Sequence, residues 1–243
     1  MQGMTARTVA DREQNVIRHC RASPNCLARS IQEASGDPFE RVVQARGPIQ
    51  PGDRLFRAGD PFDMLYWIRS GTIKTETTTR EGRLQVTGFF FAGDLIGGDC
   101  IGRETYSCDG IALETTSLCA IPAEELTRLC CANERLQSTI MQRLGQRLHA
   151  DRMGWMLTRN ERAELRVRHF LSDLMNRRGE PSTDTGRKLD LPMTKGDMAN
   201  YLGLAPESLS RVLKKLEADG LIRNGKRMFE VLQPESLFDP VEL

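Results

Sequence analysis

The sequence is short of several things, and each shortage narrows what the chain can be. None of its 243 residues belongs to an apolar run approaching the roughly 18 needed to span a bilayer. The stretch Met1-Gln2-Gly3-Met4-Thr5-Ala6-Arg7 lacks the apolar core of a secretory signal, so a cytoplasmic location with no membrane partner is expected. Net charge is only +1, which excludes a generic polyanion binder. The three histidines, His19, His149 and His169, belong to no nucleophile–base or metal motif, so no enzyme is expected. Seven cysteines are present: Cys20, Cys26, Cys100, Cys108, Cys119, Cys130 and Cys131. In a cytoplasmic chain of this length they are not a disulfide scaffold, and most read as small buried apolar residues.

What is present concentrates near the C-terminus, over residues 192–231. Thr194 and Asp197 form a variant capping box, with Asp in place of Glu or Gln. A helix is predicted from about 195 to 202, with Met198, Ala199 and Leu202 on one face and Gly203 ending it. Pro206 stands where a second helix would begin. From about 207 to 219, Leu209, Val212, Leu213 and Leu216 recur at i, i+3, i+4 and i+7, the spacing of a buried stripe. Glu207, Ser210, Arg211 and Lys214 occupy the opposite face at the same spacing. Residues 221–231 then read as a β-hairpin turning near Asn224-Gly225. A solvated helical hairpin would also carry a charged outer face. The very short turn, the Arg/Ser/Glu mixture and the basic hairpin that follows favour a winged helix-turn-helix that binds double-stranded DNA. Between residues 193 and 229, seven positive side chains face four negative ones. A patch this modest suits a sequence-specific binder that doubles its footprint as a homodimer.

Upstream, the pattern divides the chain. Residues 1–40 are a polar, cysteine-bearing segment. Residues 41–125 show short strands at about ten-residue spacing, broken by Gly-containing turns at Gly59-Asp60, Ser70-Gly71, Glu81-Gly82 and Gly93-Asp94. That is the signature of a small antiparallel barrel or jelly roll. Over 126–158 the spacing becomes helical. Leu136, Ile140, Leu144 and Leu148 repeat at i+4 and lead to Asp151 and Trp155, a narrow stripe expected to be a dimer seam rather than a core element. A second helix is predicted over about 159–177, a loop over 178–188, the DNA-binding unit within 159–233, and a tail over 234–243. The expected fold class is α+β: a jelly-roll sensor domain, a long dimerisation helix and a C-terminal winged helix-turn-helix.

These residues resemble the CRP/FNR transcription regulators, most closely the oxygen-responsive FNR branch. The likeness runs from about Cys20 to Gln233. It is carried by the stretches 48–60 (PIQPGDRLFRAGD), 65–74 (LYWIRSGTIK), 87–97 (TGFFFAGDLIG), 112–122 (ALETTSLCAIP) and 193–204. The resemblance implies a double-stranded β-helix of the cyclic-nucleotide-binding type. The chain has Glu104-Thr105-Tyr106-Ser107-Cys108-Asp109 where the family's phosphate-binding arginine is expected, so no cyclic nucleotide is expected as effector. The branch's Glu-x-x-Ser-Arg pattern is present as Glu207, Ser210 and Arg211, implying TTGAT-like half-sites in an inverted repeat. Thr194 and Lys214 are further candidate DNA contacts. Arg80-Glu81-Gly82-Arg83-Leu84 is a polar hairpin tip, and the resemblance implies that it meets RNA polymerase, as in an activator.

FNR-type sensors hold an oxygen-labile [4Fe–4S] cluster on four cysteines. The resemblance places Cys20, Cys26 and Cys119 at three of those positions and Ile17 at the fourth. An alternative alignment through His19-Cys20 leaves Ser23 as the gap. Cys100, Cys108 or His19 could complete the set. The other readings are a cluster-free regulator controlled by abundance, thiol oxidation or an effector such as nitric oxide. Asp151 lies where the branch carries an acidic residue on the seam. Two such carboxylates meeting in a parallel homodimer would repel, leaving association poised near its threshold.

Overall fold

The computed structural model describes residues 44–132, 134–160, 162–178, 180–181, 187–225 and 228–237. His19, Cys20 and Cys26 lie outside these. The chain divides between Leu148 and His149 into two units, each described by itself.

Strict alternation of side chains builds the first unit. Its strands are β1 (Gln44–Ile49), β2 (Arg54–Phe56), β3 (Met64–Ser70), β4 (Ile73–Thr78), β5 (Leu84–Phe90), β6 (Leu95–Ile96), β7 (Asp109–Ala112) and β8 (Thr116–Pro122). They form two antiparallel four-stranded sheets, ordered β1-β8-β3-β6 and β2-β7-β4-β5. In β3, Tyr66 and Ile68 point one way and Leu65 and Trp67 the other. In β8, Leu118 and Ala120 alternate likewise with Cys119 and Ile121. Both strands are buried on both faces because each face has its own partner layer.

The first layer is the interior, filled by Leu55, Phe56, Tyr66, Ile68, Ile73, Phe90, Ile96 and Leu118. Phe56 and Tyr106 stack there with ring centroids 4.1 Å apart. The second lies under two helices, α1 (Ala123–Ala132) and α2 (Glu134–Asn160). Leu126 and Leu129 of α1, with Leu136 and Ile140 of α2, bury Leu65, Trp67, Cys119 and Ile121. The expected helix over 126–158 falls on α1 and α2, described on either side of residue 133.

The seam expectation also needs correction. Leu136 and Ile140 are 1% and 5% exposed, so they are core of their own unit and are already covered without a partner. Spacing shows which residues share a face, not what covers that face. Among the described residues of α2, the large apolar side chains left outward are Met141 and Leu148, at 64% and 70% exposure, with Leu144 half-buried beside them.

The β3–β4 connection depends on Gly71, whose φ is 88°. Next to it, Thr72 is fully buried: its amide donates to Thr116 Oγ1 at 3.2 Å and its hydroxyl to Glu114 Oε1 at 2.6 Å.

The second unit adds α3 (Ala163–Arg178), β9 (Glu180–Pro181), β10 (Arg187–Asp190), α4 (Lys195–Tyr201), α5 (Pro206–Ala218), β11 (Ile222–Asn224), β12 (Met228–Val231) and α6 (Pro234–Leu237). Its sheet order is β11-β12-β10-β9. Two expectations change here. The predicted loop over 178–188 carries β9 and the start of β10, which pairs with β12 through Leu189 opposite Phe229. The predicted tail begins with a helical turn whose Leu237 is 2% exposed and joins the core. Val167, Leu171 and Leu174 of α3, Met198 of α4, Leu213 and Leu216 of α5, and Phe229 and Val231 of β12 are all buried to within 1%.

Candidate DNA-reading face and sensor layer

Local signals set the geometry of α4 and α5. Thr194 Oγ1 accepts the Asp197 amide at 3.0 Å, and Asp197 Oδ2 accepts the Thr194 amide at 3.2 Å, closing the capping box. The Thr194 hydroxyl also donates to Asp197 Oδ2 at 2.6 Å. That proton is engaged within the cap, which leaves the Thr194 hydroxyl a poor donor to a DNA phosphate. Leu202 ends α4 and Gly203 follows with φ 63°. The Leu204 amide then returns to the Ala199 carbonyl at 2.9 Å. Three residues later Pro206 opens α5 at a position that needs no N–H.

On α5 the two faces separate as the periodicity predicts. Leu209, Leu213 and Leu216 are buried, while Glu207, Ser210, Arg211 and Lys214 are exposed along one line. Among the described residues none of these four side chains takes an intramolecular hydrogen bond or ion pair, so the face presents two cations, a carboxylate and a hydroxyl outward. Lys195, at the start of α4, lies 5.7 Å from the Phe229 ring centroid. Lys226 and Arg227 of the expected basic hairpin lie outside the described residues.

Sequence reasoning missed how α5 is held. Glu164 of α3 accepts from Arg168 at 2.9 Å and from Lys215 of α5 at 2.5 Å. The Lys215 hydrogen bond, ahead of Arg168, holds the Glu164 carboxyl below the usual carboxylate range. Arg166 Nη1 donates to the Leu202 carbonyl at 3.2 Å, tying α3 to the turn. Glu164 and Lys215 are 51 residues apart, so no local pattern could have paired them.

The cysteines sort by face. Cys100 and Cys108 point into the barrel interior, and burial pushes the Cys108 thiol up to about 11 and raises Cys100 as well. Cys119 points the opposite way, into the layer beneath α1 and α2. Cys130 packs against that same layer, while Cys131 is exposed. Alternation along β8 thus separates Cys119 from Cys100 and Cys108, two of the three residues named as able to complete the ligand set; the third, His19, lies outside the described residues. Among the described residues no three His, Cys, Asp or Glu side chains gather as a metal site, and no helix is long and apolar enough to cross a membrane.

Two family models match the chain: a cyclic nucleotide-binding domain over residues 47–133 and a Crp-like helix-turn-helix domain over 165–239. The electron transport regulator A of Shewanella oneidensis is 36% identical over 203 residues, 84% of this chain and 81% of that protein. The fumarate and nitrate reduction regulatory protein of Escherichia coli K12 is 37% identical over the same shares. FixK2 of Bradyrhizobium japonicum has the same fold, with a TM-score of 0.70 at 20% identity over 80% of this chain and 94% of that one. With both domain models matched in order and relatives this similar across most of their length, the chain belongs to the CRP/FNR family as an FNR-like DNA-binding transcription regulator.

Proposed function

We propose that this regulator works as a homodimer, reads TTGAT-like inverted repeats through α5, and responds to oxygen or redox state. The observation that carries the DNA reading is the exposed line of Glu207, Ser210, Arg211 and Lys214. Arg211 can give two hydrogen bonds to guanine O6 and N7, and Glu207 can accept from cytosine N4. Ser210 can meet a base edge or methyl group, and Lys214 a phosphate. The aromatic stack in the barrel interior and the absent phosphate-binding arginine argue against a cyclic nucleotide effector.

The dimer seam follows from what the barrel leaves uncovered. Met141, Leu144, Leu148 and Asp151 step by three, four and three residues, the a/d spacing of a two-helix seam. Asp151 then occupies a core position of that seam, where two carboxylates meet and oppose association. Asp151→Ala is expected to raise the dimer fraction in air; sedimentation showing no change would remove Asp151 from the switch.

For the signal, Cys119 stands at the barrel position the family resemblance gives to a cluster ligand, and Cys130 packs against the same layer. Gln44 pairs with Ala120, so the chain enters the barrel beside Cys119. Cys26 precedes Gln44 by 18 residues, a tether of up to ~60 Å. Thiolates are the donors a [4Fe–4S] cluster requires, and such a cluster, when bound, supplies oxygen lability. We assign its ligands as Cys20, Cys26, Cys119 and, because it packs against the same layer, Cys130. Anaerobically purified protein is expected to hold about four irons and four sulfides per monomer. Cys119→Ser and Cys130→Ser should abolish that content and its visible absorption, while Cys100→Ser and Cys108→Ser should keep both. Absence of iron from the parent protein would favour the cluster-free reading, which the residue at the fourth family position, Ile17, already supports.

The hairpin between β4 and β5, with Arg80, Glu81, Arg83 and Leu84 exposed at its tip, is the surface we assign to RNA polymerase.

A further inference from the structure

Gly88 stands in the middle of β5, where a residue without a side chain weakens a strand. Glycine is retained in such places when another group comes close to the backbone. Here that group is Arg147 of α2. A Cβ on Gly88 would lie 2.6 Å from Arg147 Nη2. Arg147 Nη1 donates to the Phe89 carbonyl at 3.4 Å, and the guanidinium carbon lies 4.2 Å from the Phe90 ring centroid. One planar side chain therefore touches three consecutive residues of β5.

The strand it touches is the last in the order of its sheet, with β4 as its neighbouring strand among the described residues. The β4–β5 pairing also carries an irregularity in register between Thr75 and Glu76, opposite the segment that includes Gly88. An edge strand with a register irregularity and a central glycine is a place where a sheet can open locally. It leads directly from the tip, where Leu84 is 59% exposed beside Arg80 and Arg83.

We propose that Arg147 is a positioning residue: from α2 it clamps β5 at Gly88, Phe89 and Phe90, so that the tip over 79–84 is presented in one orientation to the transcription machinery. This rests on the polymerase reading of the tip. Arg147 lies between Leu144 and Leu148 on α2, so pairing of two helices at the seam and clamping of the hairpin involve the same turn. A guanidinium suits the role because its plane can stack on a ring and donate along an edge together, which an ammonium cannot do.

The test uses full-length dimeric protein, with hydrogen–deuterium exchange over 79–90 and transcription in vitro from a promoter carrying the inverted repeat. Arg147→Ala is expected to speed exchange in that segment by about tenfold and to lower transcript output by a similar factor, with DNA affinity within about twofold of the parent. Arg147→Lys keeps the charge and the stem, folds if the alanine variant does not, and should fall between the two. Gly88→Ala drives a methyl into the guanidinium and should reproduce the loosening. The Gly88→Ala/Arg147→Ala double variant should lose less than the sum of the two single changes, because both break the Arg147 contact, while the new methyl also meets Phe90 Cε2 at 3.2 Å and Thr75 Oγ1 at 3.3 Å. Unchanged exchange in both Arg147 variants overturns the proposal, and so do additive effects of the two single changes. Loosened exchange with normal transcription also overturns the positioning role. Arg83→Ala then separates the causes: if it too transcribes normally, the polymerase reading of the tip has failed, and if it does not, only the clamp has.

Discussion

Arg211→Ala is expected to weaken binding to a two-half-site operator by roughly 2–6 kcal/mol, twice the ~1–3 kcal/mol that one bidentate arginine–guanine contact supplies. The doubling follows from the proposed two-fold dimer, in which each copy of α5 would read one half-site. In affinity this is a loss of about 30-fold to about 20,000-fold, read by anisotropy titration at one fixed salt concentration. The loss should depend on the guanine. On an operator with that base pair exchanged in both half-sites, variant and parent should bind alike. If affinity instead falls equally on every sequence, Arg211 contacts phosphate and the base-reading assignment is wrong. Folding should not confuse the result, because Arg211 is exposed and without an intramolecular polar partner among the described residues.

The second large effect is on stability. Gly71→Ala should destabilise the barrel by roughly 2–4 kcal/mol, seen as a lowered midpoint in urea. Two causes combine. The φ of 88° is one that side chains rarely adopt, and the new Cβ would lie 2.4 Å from Thr116 Oγ1, 2.7 Å from the Thr115 carbonyl oxygen and 2.7 Å from Thr116 Cα. Two of those three atoms are backbone and cannot rotate away, and the threonine oxygen belongs to the buried Thr72–Thr116 bonding. Gly59→Ala isolates the backbone cause: its φ is also 88°, yet nothing lies within 4 Å of its Cβ. That variant should lose only about 1 kcal/mol. Equal losses at the two positions would show that the close contacts at Gly71 relax and contribute nothing.

The parts legible in the sequence are those whose causes are local. Thr194 with Asp197, then Gly203 and Pro206, are caps and stops that act within one helical turn, and the structure places α4 and α5 within a residue or so of the predicted bounds. The two faces of α5 were legible for the same reason. What escaped depends on partners distant in sequence. The i+4 stripe on α2 is genuine, but only the barrel decides that Ile140 is core and Leu148 is not. β10 is four residues long and exists because β12 pairs with it, so its first two residues read as loop. The cysteine assignment turned on strand parity: Cys119 and Leu118 are adjacent in sequence and lie on opposite sides of a sheet.

The ion pairs inside the C-terminal unit bear on how strongly salt should compete with DNA. Counted from composition, seven cations lie between residues 193 and 229. Lys215 is committed to Glu164, and Arg223 donates to Glu230 at 2.6 Å. Each must give up that ion pair before it can displace counterions from phosphate, the process that makes log affinity fall with log salt by about 0.9 per phosphate neutralised. The reading face is thus less electrostatic than its charge count suggests. Its affinity draws correspondingly more on base contacts that salt does not weaken, and discrimination between right and wrong operators should widen as ionic strength rises.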